Sequence, residues 1–207
     1  MTSNSLKQRV IKTGEVGECV PRRGNRVTRA LAILFLAAIG WRIGGSLPDL
    51  HKFIIVGAPH TSNWDFVLVI ATATALGVRI SWMGKHSLFR GPLGPVFRWM
   101  GGISIDRRAT HGIVGENVQA FEQMEKLILC ITPEGTRQRV HEWRSGFYQI
   151  AMQAGVPMQL AAFDYGQKVV DLGPMIEPTG DYEADLARIK AHYAPIRPRY
   201  PQQTWQK

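Results

Sequence analysis

The sequence predicts an α/β fold in which helices flank a mixed central sheet. Short apolar, β-branched runs such as 53–56 and 127–132 alternate with segments of helical periodicity such as 113–126 and 181–193. Gly or Pro separates most of these segments. The chain has 207 residues, of which 45% are hydrophobic and 20% are charged, and this size and composition suit one hydrophobic core.

Three segments are predicted along the chain. Residues 1–25 are polar and interrupted by Gly and Pro, which predicts a disordered basic N-terminus. Residues 26–48 contain a predicted helix over 26–43 and a Gly-Gly-Ser-Leu-Pro turn, and together they are predicted to be a membrane-anchoring helical segment. Residues 49–207 hold the remaining strands and helices and form the predicted functional domain.

The net charge of +9 is concentrated near the N-terminus. Residues 1–52 hold nine Lys or Arg against three acidic residues, and a cluster of arginines lies directly before the apolar run 30–39. A basic cluster beside an apolar run is typical of a segment that binds an anionic lipid surface. The run is shorter than the ~20 residues that a bilayer span requires, so we expect a monotopic or re-entrant anchor.

Other interpretations of this segment stay open. It could be a solvated basic tail followed by a core helix. A cleaved signal peptide fits less well, because the polar stretch before the apolar run is long for the basic region of a signal. Nucleic-acid binding is disfavoured because aromatic residues are not interleaved with the basic ones. The two cysteines, Cys19 and Cys130, lie far apart, which argues against a disulfide framework and for a reducing, cytosolic-side location.

A histidine and an aspartate follow the predicted strand 53–56 at a spacing of five. Within one continuous helix, residues i and i+5 point about 140° apart, so His60 and Asp65 could not cooperate there. The three residues after His60 (Thr-Ser-Asn) favour helix N-caps, so we expect His60 to precede the helix and fold back over its first turn. There the carboxylate would orient the imidazole as a general base for a hydroxyl. Alternatively, Asp65 only stabilises the helix N-terminus.

Two further blocks place arginines after predicted strands. In Gly-Gly-Ile-Ser-Ile-Asp-Arg (101–107) the glycines permit close backbone approach, and the strand delivers Arg107, whose planar guanidinium suits a phosphate. In Pro-Glu-Gly-Thr-Arg (133–137) a turn exposes Glu134, which could hold a hydroxyl or brace a cation, and Arg137, which could bind phosphate. A solvent-facing arginine and a purely structural turn are the alternatives.

The sequence lacks the motifs of three other enzyme classes. The sequence has no Gly-x-Ser-x-Gly elbow of an α/β-hydrolase. Gly84-Lys85 is followed by His86 rather than by the Ser or Thr of a P-loop. A His-x3-His pair or a cysteine cluster that would indicate zinc is also missing, so we expect no metal.

Together the blocks resemble the glycerolipid acyltransferase family, which includes bacterial 1-acylglycerol-3-phosphate acyltransferases. The family pattern is His-x4-Asp, Gly-Ile-x-Ile/Val-Asp-Arg, Pro-Glu-Gly-Thr-Arg and a Val-Pro strand. The sequence has the four blocks in this order within roughly residues 53–165, at His60–Asp65, Gly102–Arg107, Pro133–Arg137 and Val156-Pro157.

The resemblance implies transfer of a fatty acyl group from acyl-CoA or acyl-carrier protein to a lysophospholipid such as 1-acylglycerol-3-phosphate, in phospholipid biosynthesis. It implies His60 as general base and Asp65 as its partner, with no resident cofactor and no covalent acyl-enzyme. It also implies an anchor in one leaflet, and hence a peripheral or monotopic place on the cytoplasmic face of the inner membrane. The residues it implies for the acceptor's head group are Lys85, Arg107, Glu134, Gly135, Thr136 and Arg137.

Some positions depart from the family pattern. Thr132 stands where an aromatic residue is common, and Gln138-Arg139 follows the third block in place of a Ser- or Lys-rich sequence. These departures concern the acceptor more than the chemistry, so lyso-ornithine lipid or another lysophospholipid is an alternative acceptor. A non-catalytic lipid-binding protein of the same fold is an alternative from another class. On the resemblance, residues 49–207 are predicted to be an acyltransferase domain.

Overall fold

The computed structural model describes residues 7–8, 10–11, 16–105 and 112–205, and for Lys85 and Ile105 it describes the backbone alone. The helices are α1 (Arg26–Ala38), α2 (Asn63–Leu76), α3 (His86–Arg90), α4 (Gly94–Trp99), α5 (Gly112–Gln123), α6 (Gly146–Ala154) and α7 (Tyr182–Tyr193), with a 3-10 turn at Pro201–Gln203. The strands are β1 (Arg42–Gly45), β2 (Lys52–Ala58), β3 (Ser81–Lys85), β4 (Gly102–Ile105), β5 (Leu127–Ile131), β6 (Met158–Asp164) and β7 (Val169–Ile176).

These strands form one sheet in the order β1-β7-β6-β2-β5-β3-β4. The five strands from β6 to β4 are parallel, whereas β7 is antiparallel to β6, and β1 is parallel to β7. The central strands β6, β2 and β5 are almost wholly buried, as expected for near-continuous apolar runs covered on both faces. The predicted α/β fold with a mixed sheet flanked by helices is therefore confirmed.

Helices cover both faces of the sheet. On one face α1 and α2 pack in a core with Phe53, Ile55 and Phe163. On the other face α5, α6 and α7 pack in a second core with Ile54 and Val56. Successive residues of β2 alternate between the two cores because side chains along a strand point to opposite faces.

Helix α1 begins at a capping box and presents two different sides. Asn25 Oδ1 accepts from the backbone N–H of Thr28, and the Thr28 hydroxyl accepts from the backbone N–H of Asn25, both at 2.9 Å. One side of the helix is buried, through Ala32, Ile33 and Leu36, and the opposite side exposes Val27, Leu31 and Leu34. No helix in the described ranges is both long enough and apolar enough to cross a membrane.

The predicted helix over 26–43 is too long. Helix α1 ends at Ala38, Gly40 adopts a left-handed conformation with φ of 74°, and Arg42–Gly45 forms the edge strand β1. The backbone of β1 pairs with β7, far along the chain, and this distant pairing overrides the local helical pattern. The predicted anchoring segment 26–48 therefore divides into one helix and one strand of the main sheet.

Part of the predicted disordered segment 1–25 is held against the domain. Val20 is fully buried, Arg23 N donates to Gly77 O at 3.0 Å, and Pro21 O accepts from Arg79 N at 2.8 Å. The prediction of disorder is therefore wrong for residues 20–23, because these backbone bonds tie them to the end of α2. Within the same segment, residues 1–6, 9 and 12–15 lie outside the described residues.

Glycines bring β3, β4 and α3 close together. Gly101 has φ of 89°, and a Cβ there would lie 2.0 Å from the carbonyl oxygen of Ile80. A Cβ on Gly84 or Gly102 would lie 2.7 Å from the ring of Phe89. The close backbone approach predicted for the paired glycines is therefore present, and it lets the Phe89 ring of α3 pack against β3 and the start of β4.

Candidate active site

The site forms at the edge of the sheet where the parallel strands β2 and β5 end. Loops that follow the carboxyl ends of such strands meet at one edge, which is where α/β folds bind ligands. His60 follows β2 by two residues, and Ser62 then caps α2 by accepting from Trp64 N at 3.2 Å. Asp65 is the third residue of α2, and its side chain accepts from the backbone of the cap residue. The helix therefore starts after His60, as the Thr-Ser-Asn sequence predicts.

His60 folds back over this first turn and meets Asp65. The distance between His60 Nδ1 and Asp65 Oδ2 is 3.0 Å. The same oxygen accepts from the backbone N–H groups of Thr61 at 3.0 Å and Ser62 at 2.9 Å. Asp65 is 1% exposed, and the His60 side chain is 16% exposed. In the tautomer in which Nδ1 donates to the Asp65 carboxylate, Nε2 is the acceptor nitrogen of the ring.

Tyr165 completes the surroundings of Asp65. Its hydroxyl donates to Asp65 Oδ1 at 2.6 Å. Burial and the neighbouring carboxylate raise the pKa of Tyr165, so it keeps its proton and remains a donor. The guanidinium of Arg199 lies 5.7 Å from the centre of the Trp64 ring and 5.9 Å from that of Tyr165, within the range of cation–π contacts.

Glu134 lies in the turn after β5 and contacts the backbone of His60. Its Oε1 accepts from His60 N at 3.1 Å, which joins the β2 and β5 loops. The side chain is buried, and its Oε2 has no hydrogen-bond partner among the described residues. Burial, with a smaller contribution from the Asp65 carboxylate, raises the pKa of Glu134 to about 7, and the hydrogen bond from the His60 N–H opposes this shift. Glu134 is thus a buried carboxyl group beside the His–Asp pair, and one of its oxygens has no partner in the part of the chain that the structure describes.

The rest of the predicted Pro-Glu-Gly-Thr-Arg turn is more exposed. Gly135 has φ of 63°, and its N–H donates to Thr132 O at 3.1 Å, which closes the turn. Arg137 is exposed and Thr136 is half-buried. With its amide nitrogen as the donor, Gln203 bonds both the Arg137 and Thr61 carbonyl oxygens at 2.9 Å. The C-terminal segment therefore connects the two loops that carry His60 and Glu134.

The structure describes only the backbone of one predicted site residue, Lys85, and does not describe another, Arg107. Lys85 is the last residue of β3, and its backbone pairs with Ile105. Its side chain lies outside the description. Arg107, which follows β4 by two residues, also lies outside the described residues. The structure therefore brings together His60, Asp65 and Glu134, and it places Gly135, Thr136 and Arg137 in the adjoining turn.

Sequence reasoning missed Tyr165, Arg199 and Gln203. Tyr165 directly follows β6, which lies next to β2 in the sheet. The sequence shows a tyrosine just after a buried strand. This position indicates a contact with the site only when it is known that β6 lies next to β2. Arg199 and Gln203 lie in a C-terminal segment that contains Pro195, Pro198 and Pro201, and no local pattern singles them out.

A family model for acyltransferases matches residues 43–163, more than half of the chain. The chain belongs to the acyltransferase family. The matched range contains the His60–Asp65 pair and Glu134. Tyr165 lies just beyond it, as do the C-terminal residues that bond the site loops.

A search of solved structures agrees with this family at the level of the fold. The chain is similar to the 1-acyl-sn-glycerophosphate (LPA) acyltransferase PlsC from Thermotoga maritima, with a TM-score of 0.59 and 17% sequence identity. The alignment covers 81% of this chain and 75% of that one. Among curated protein sequences, no significant match was found. This acyltransferase therefore shares its architecture with a glycerolipid enzyme at low sequence identity.

Proposed function

We propose that this acyltransferase transfers a fatty acyl group from a thioester to the free hydroxyl of a lysophospholipid, with His60 as general base. The 3.0 Å contact between His60 Nδ1 and Asp65 Oδ2 carries the proposal. Asp65 is held by four donors, so the carboxylate has one orientation and imposes one tautomer on the imidazole. A nitrogen that is fixed as an acceptor beside a binding edge is suited to deprotonating a hydroxyl.

The proposed reaction is a direct transfer. The acceptor oxygen attacks the thioester carbonyl carbon while His60 Nε2 takes its proton, and Asp65 stabilises the imidazolium. The C–S bond then breaks, and the imidazolium returns the proton to the thiolate sulfur. Cys130 is no candidate for an acyl-enzyme, because burial raises the pKa of its thiol to about 12 and keeps it protonated at neutral pH.

The turn after β5 is the proposed acceptor site. Oε2 of Glu134, which accepts from no described residue, would bind a hydroxyl of the acceptor's backbone or head group. Arg137, exposed on the same turn, would bind a phosphate, and Gly135 and Thr136 shape the turn between them. The resemblance adds Lys85, the last residue of β3, and Arg107, which comes two residues after β4 in the sequence, to this group. A cationic group at this edge favours an anionic acceptor such as 1-acylglycerol-3-phosphate.

An apolar cavity beneath α2 supports a fatty acyl donor. It lies between the helix and the sheet, where Ile55, Gly57, Val69 and Phe163 contribute to its wall. Gly57 precedes His60 by three residues, and Val69 follows Asp65 by one helical turn, so the cavity adjoins the elements that carry the dyad. An apolar cavity at this place suits the hydrocarbon chain of acyl-CoA or acyl-carrier protein.

Helix α1 is the proposed contact with the membrane. Its exposed stripe of Val27, Leu31 and Leu34 follows exposed arginines at positions 22 and 26. An apolar stripe beside basic side chains favours binding in the interface of an anionic leaflet. This location would give the enzyme its lipid acceptor at the cytoplasmic face of the inner membrane.

Turnover on a panel of acceptors tests the proposed activity. Purified protein is incubated with labelled acyl-CoA or acyl-carrier protein and 1-acylglycerol-3-phosphate, lyso-ornithine lipid or other lysophospholipids. A labelled diacyl product is expected, and its acceptor identifies the substrate. Lipid binding without product on any acceptor would instead support a non-catalytic lipid-binding protein.

Substitution of His60 tests the dyad. His60→Ala is expected to lower kcat by roughly 10²–10⁴, the usual contribution of a general base, without unfolding the chain. His51→Ala is the matched control, because this exposed histidine lies at the opposite end of the same strand. Turnover by purified His60→Ala protein at the rate of His51→Ala protein would contradict the proposed role of His60.

A further inference from the structure

A second set of apolar side chains is exposed on α4 and just before it. Leu93 is 59% exposed, Val96 is 46% exposed and Trp99 is 68% exposed. They lie within one short segment, and Leu88 of α3, five residues before Leu93 in the chain, is also exposed. Single exposed apolar residues are common on soluble proteins, but a contiguous group of large ones marks an interaction surface.

Helices α4 and α1 lie on either side of the same part of α2. The guanidinium carbon of Arg23, just before α1, lies 4.1 Å from the centre of the Trp99 ring. A cavity between the helices is lined by Thr28 of α1, Ile70 and Thr74 of α2, and Trp99 of α4. The start of α1 and the end of α4 therefore border one groove, through Thr28 and Trp99. We call the exposed apolar residues on and next to these two helices the α1–α4 face and define it by Val27, Leu31, Leu34, Leu93, Val96 and Trp99.

The α1–α4 face extends toward the candidate active site along α2. Trp64 and Val67, in the first turns of α2, are also exposed. Val67 precedes Ile70, which lines the groove, by three residues, so the two lie on one side of the helix. Asp65 lies in the same first turns, so the surface ends beside the dyad.

The charges around this face complement an anionic lipid surface. Residues 19–48 and 66–105 contain no Asp or Glu, although both stretches contain several arginines. Arg90 and Arg98 are exposed and form no ion pair with a described carboxylate. Unpaired arginines beside exposed apolar side chains fit phosphate head groups above acyl chains. A second copy of this chain would bring like charges together, which disfavours self-association through this face.

We propose that α4 is a second membrane-contacting element and that the chain binds anionic bilayers through α1 and α4 together. Leu93, Val96 and Trp99 enter the interface, while Arg90 and Arg98 contact lipid phosphates. Two contacts on either side of α2 fix the orientation of the domain, with the dyad end of α2 next to the bilayer. This orientation rests on the proposed function, whereas the lipid binding itself does not.

Vesicle binding by two matched variants tests the proposal. Val96→Glu places a carboxylate in the proposed interface, and Met152→Glu places one on α6, which packs on the opposite face of the sheet. The two side chains are almost equally exposed, at 46% and 44%. Flotation with phosphatidylcholine vesicles, with and without phosphatidylglycerol, measures partitioning. We expect Val96→Glu to weaken binding to the anionic vesicles roughly tenfold or more and Met152→Glu to have little effect.

Several results would overturn the proposal. Equal partitioning of the two variants would contradict a membrane contact of α4. Equal binding of the wild-type chain to both vesicle types would contradict a preference for anionic lipid. A change of oligomeric state in Val96→Glu, with unchanged vesicle binding, would make the face an interface between copies of the chain. Thermal unfolding by circular dichroism checks that both variants are folded.

Failure of docking is distinguishable from failure of the proposed function. Turnover is measured without vesicles, on a short-chain lysophospholipid below its critical micelle concentration. We expect Val96→Glu to retain this turnover while its vesicle binding falls. Absence of turnover in the wild-type chain, together with intact and Val96-dependent vesicle binding, would contradict the acyl-transfer function and leave the membrane contact of α4 in place.

Discussion

The hydroxyl of Tyr165 donates to the oxygen of Asp65 that His60 does not use. Tyr165 bonds Oδ1 at 2.6 Å, and His60 Nδ1 lies 3.0 Å from Oδ2. Because both carboxylate oxygens have partners, the plane of the carboxylate is fixed, and the orientation of the imidazole follows from it. Tyr165 reaches this position because β6 lies next to β2 in the sheet. We therefore expect Tyr165 to act as a positioning residue for His60.

Tyr165→Phe is expected to lower kcat roughly tenfold or more while changing the KM for the acceptor little, because the base loses orientation rather than a substrate contact. The ring itself should stay in place, since it packs edge-on against Trp41 with centroids 4.8 Å apart. Steady-state kinetics with varied acceptor and saturating donor measures both constants.

Tyr148→Phe is the matched control for Tyr165→Phe. The Tyr148 hydroxyl donates to Asp185 Oδ2 at 2.9 Å, so this variant also removes a buried tyrosine–aspartate hydrogen bond, but on α6 and away from the site. Both variants should lose about 1 kcal/mol of unfolding free energy. Only Tyr165→Phe should lower kcat, and an equal kcat in the two variants would show that the tyrosine bond to Asp65 is structural alone.

The parts of the fold that depend on local patterns could be predicted. The apolar run of β5 gives a strand at Leu127–Ile131, close to the predicted 127–132, and α7 begins and ends within a residue of the predicted 181–193. Strand β1 could not be predicted, because Arg42–Gly45 becomes a strand only by pairing with β7. Helix α3 was also missed, because a helix of five residues is too short to show a periodic pattern of apolar residues.

The site residues also divide into those that a local pattern indicates and those that depend on distant contacts. His60, Asp65 and Glu134 lie in contiguous motifs, and the residue types in those motifs indicate chemistry from the sequence alone. Tyr165 and Gln203 come from separate segments, and their contacts with the site depend on strand order and on the path of the C-terminal segment. Non-local hydrogen bonds of this kind leave no periodic pattern in one sequence.

Glu134 predicts a pH dependence of stability. Burial raises its pKa from 4.5 to about 7, so the folded chain binds this proton more tightly than the unfolded chain. The resulting stability is fully present below about pH 4.5 and is lost as the pH rises through about 7. A shift of this size corresponds to roughly 3 kcal/mol. Glu134→Gln has no proton to lose, so its stability relative to wild type should increase by up to roughly 3 kcal/mol over this range.

Urea unfolding at a series of pH values measures this difference for Glu134→Gln. Glu142→Gln is the control, because Glu142 is exposed and should leave the pH profile parallel to that of wild type. The amide oxygen that Glu134→Gln introduces would still accept from His60 N, so the comparison isolates the charge. A pH-independent gap between Glu134→Gln and wild type would mean that the carboxyl group is ionised normally in the folded chain.

Two threonines of α2 differ in the partners of their hydroxyl groups. Thr72 is buried, and its hydroxyl has no hydrogen-bond partner among the described residues, although it lies in the wall of the apolar cavity. Thr74 donates to Ile70 O at 2.7 Å. Valine has the same branched shape as threonine, so substitution at either position changes the hydroxyl and leaves the packing of the helix nearly the same.

Thr72→Val is therefore expected to raise the free energy of unfolding by about 1 kcal/mol, because it removes an unsatisfied buried hydroxyl. Thr74→Val should lower it by a similar amount, since it deletes a hydrogen bond. Because the cavity wall also becomes fully apolar in Thr72→Val, the KM for a saturated long-chain donor should fall in that variant. Urea unfolding and donor kinetics measure the two effects. Destabilisation of Thr72→Val as large as that of Thr74→Val would show that the Thr72 hydroxyl has a partner in solution, such as a water held in the cavity.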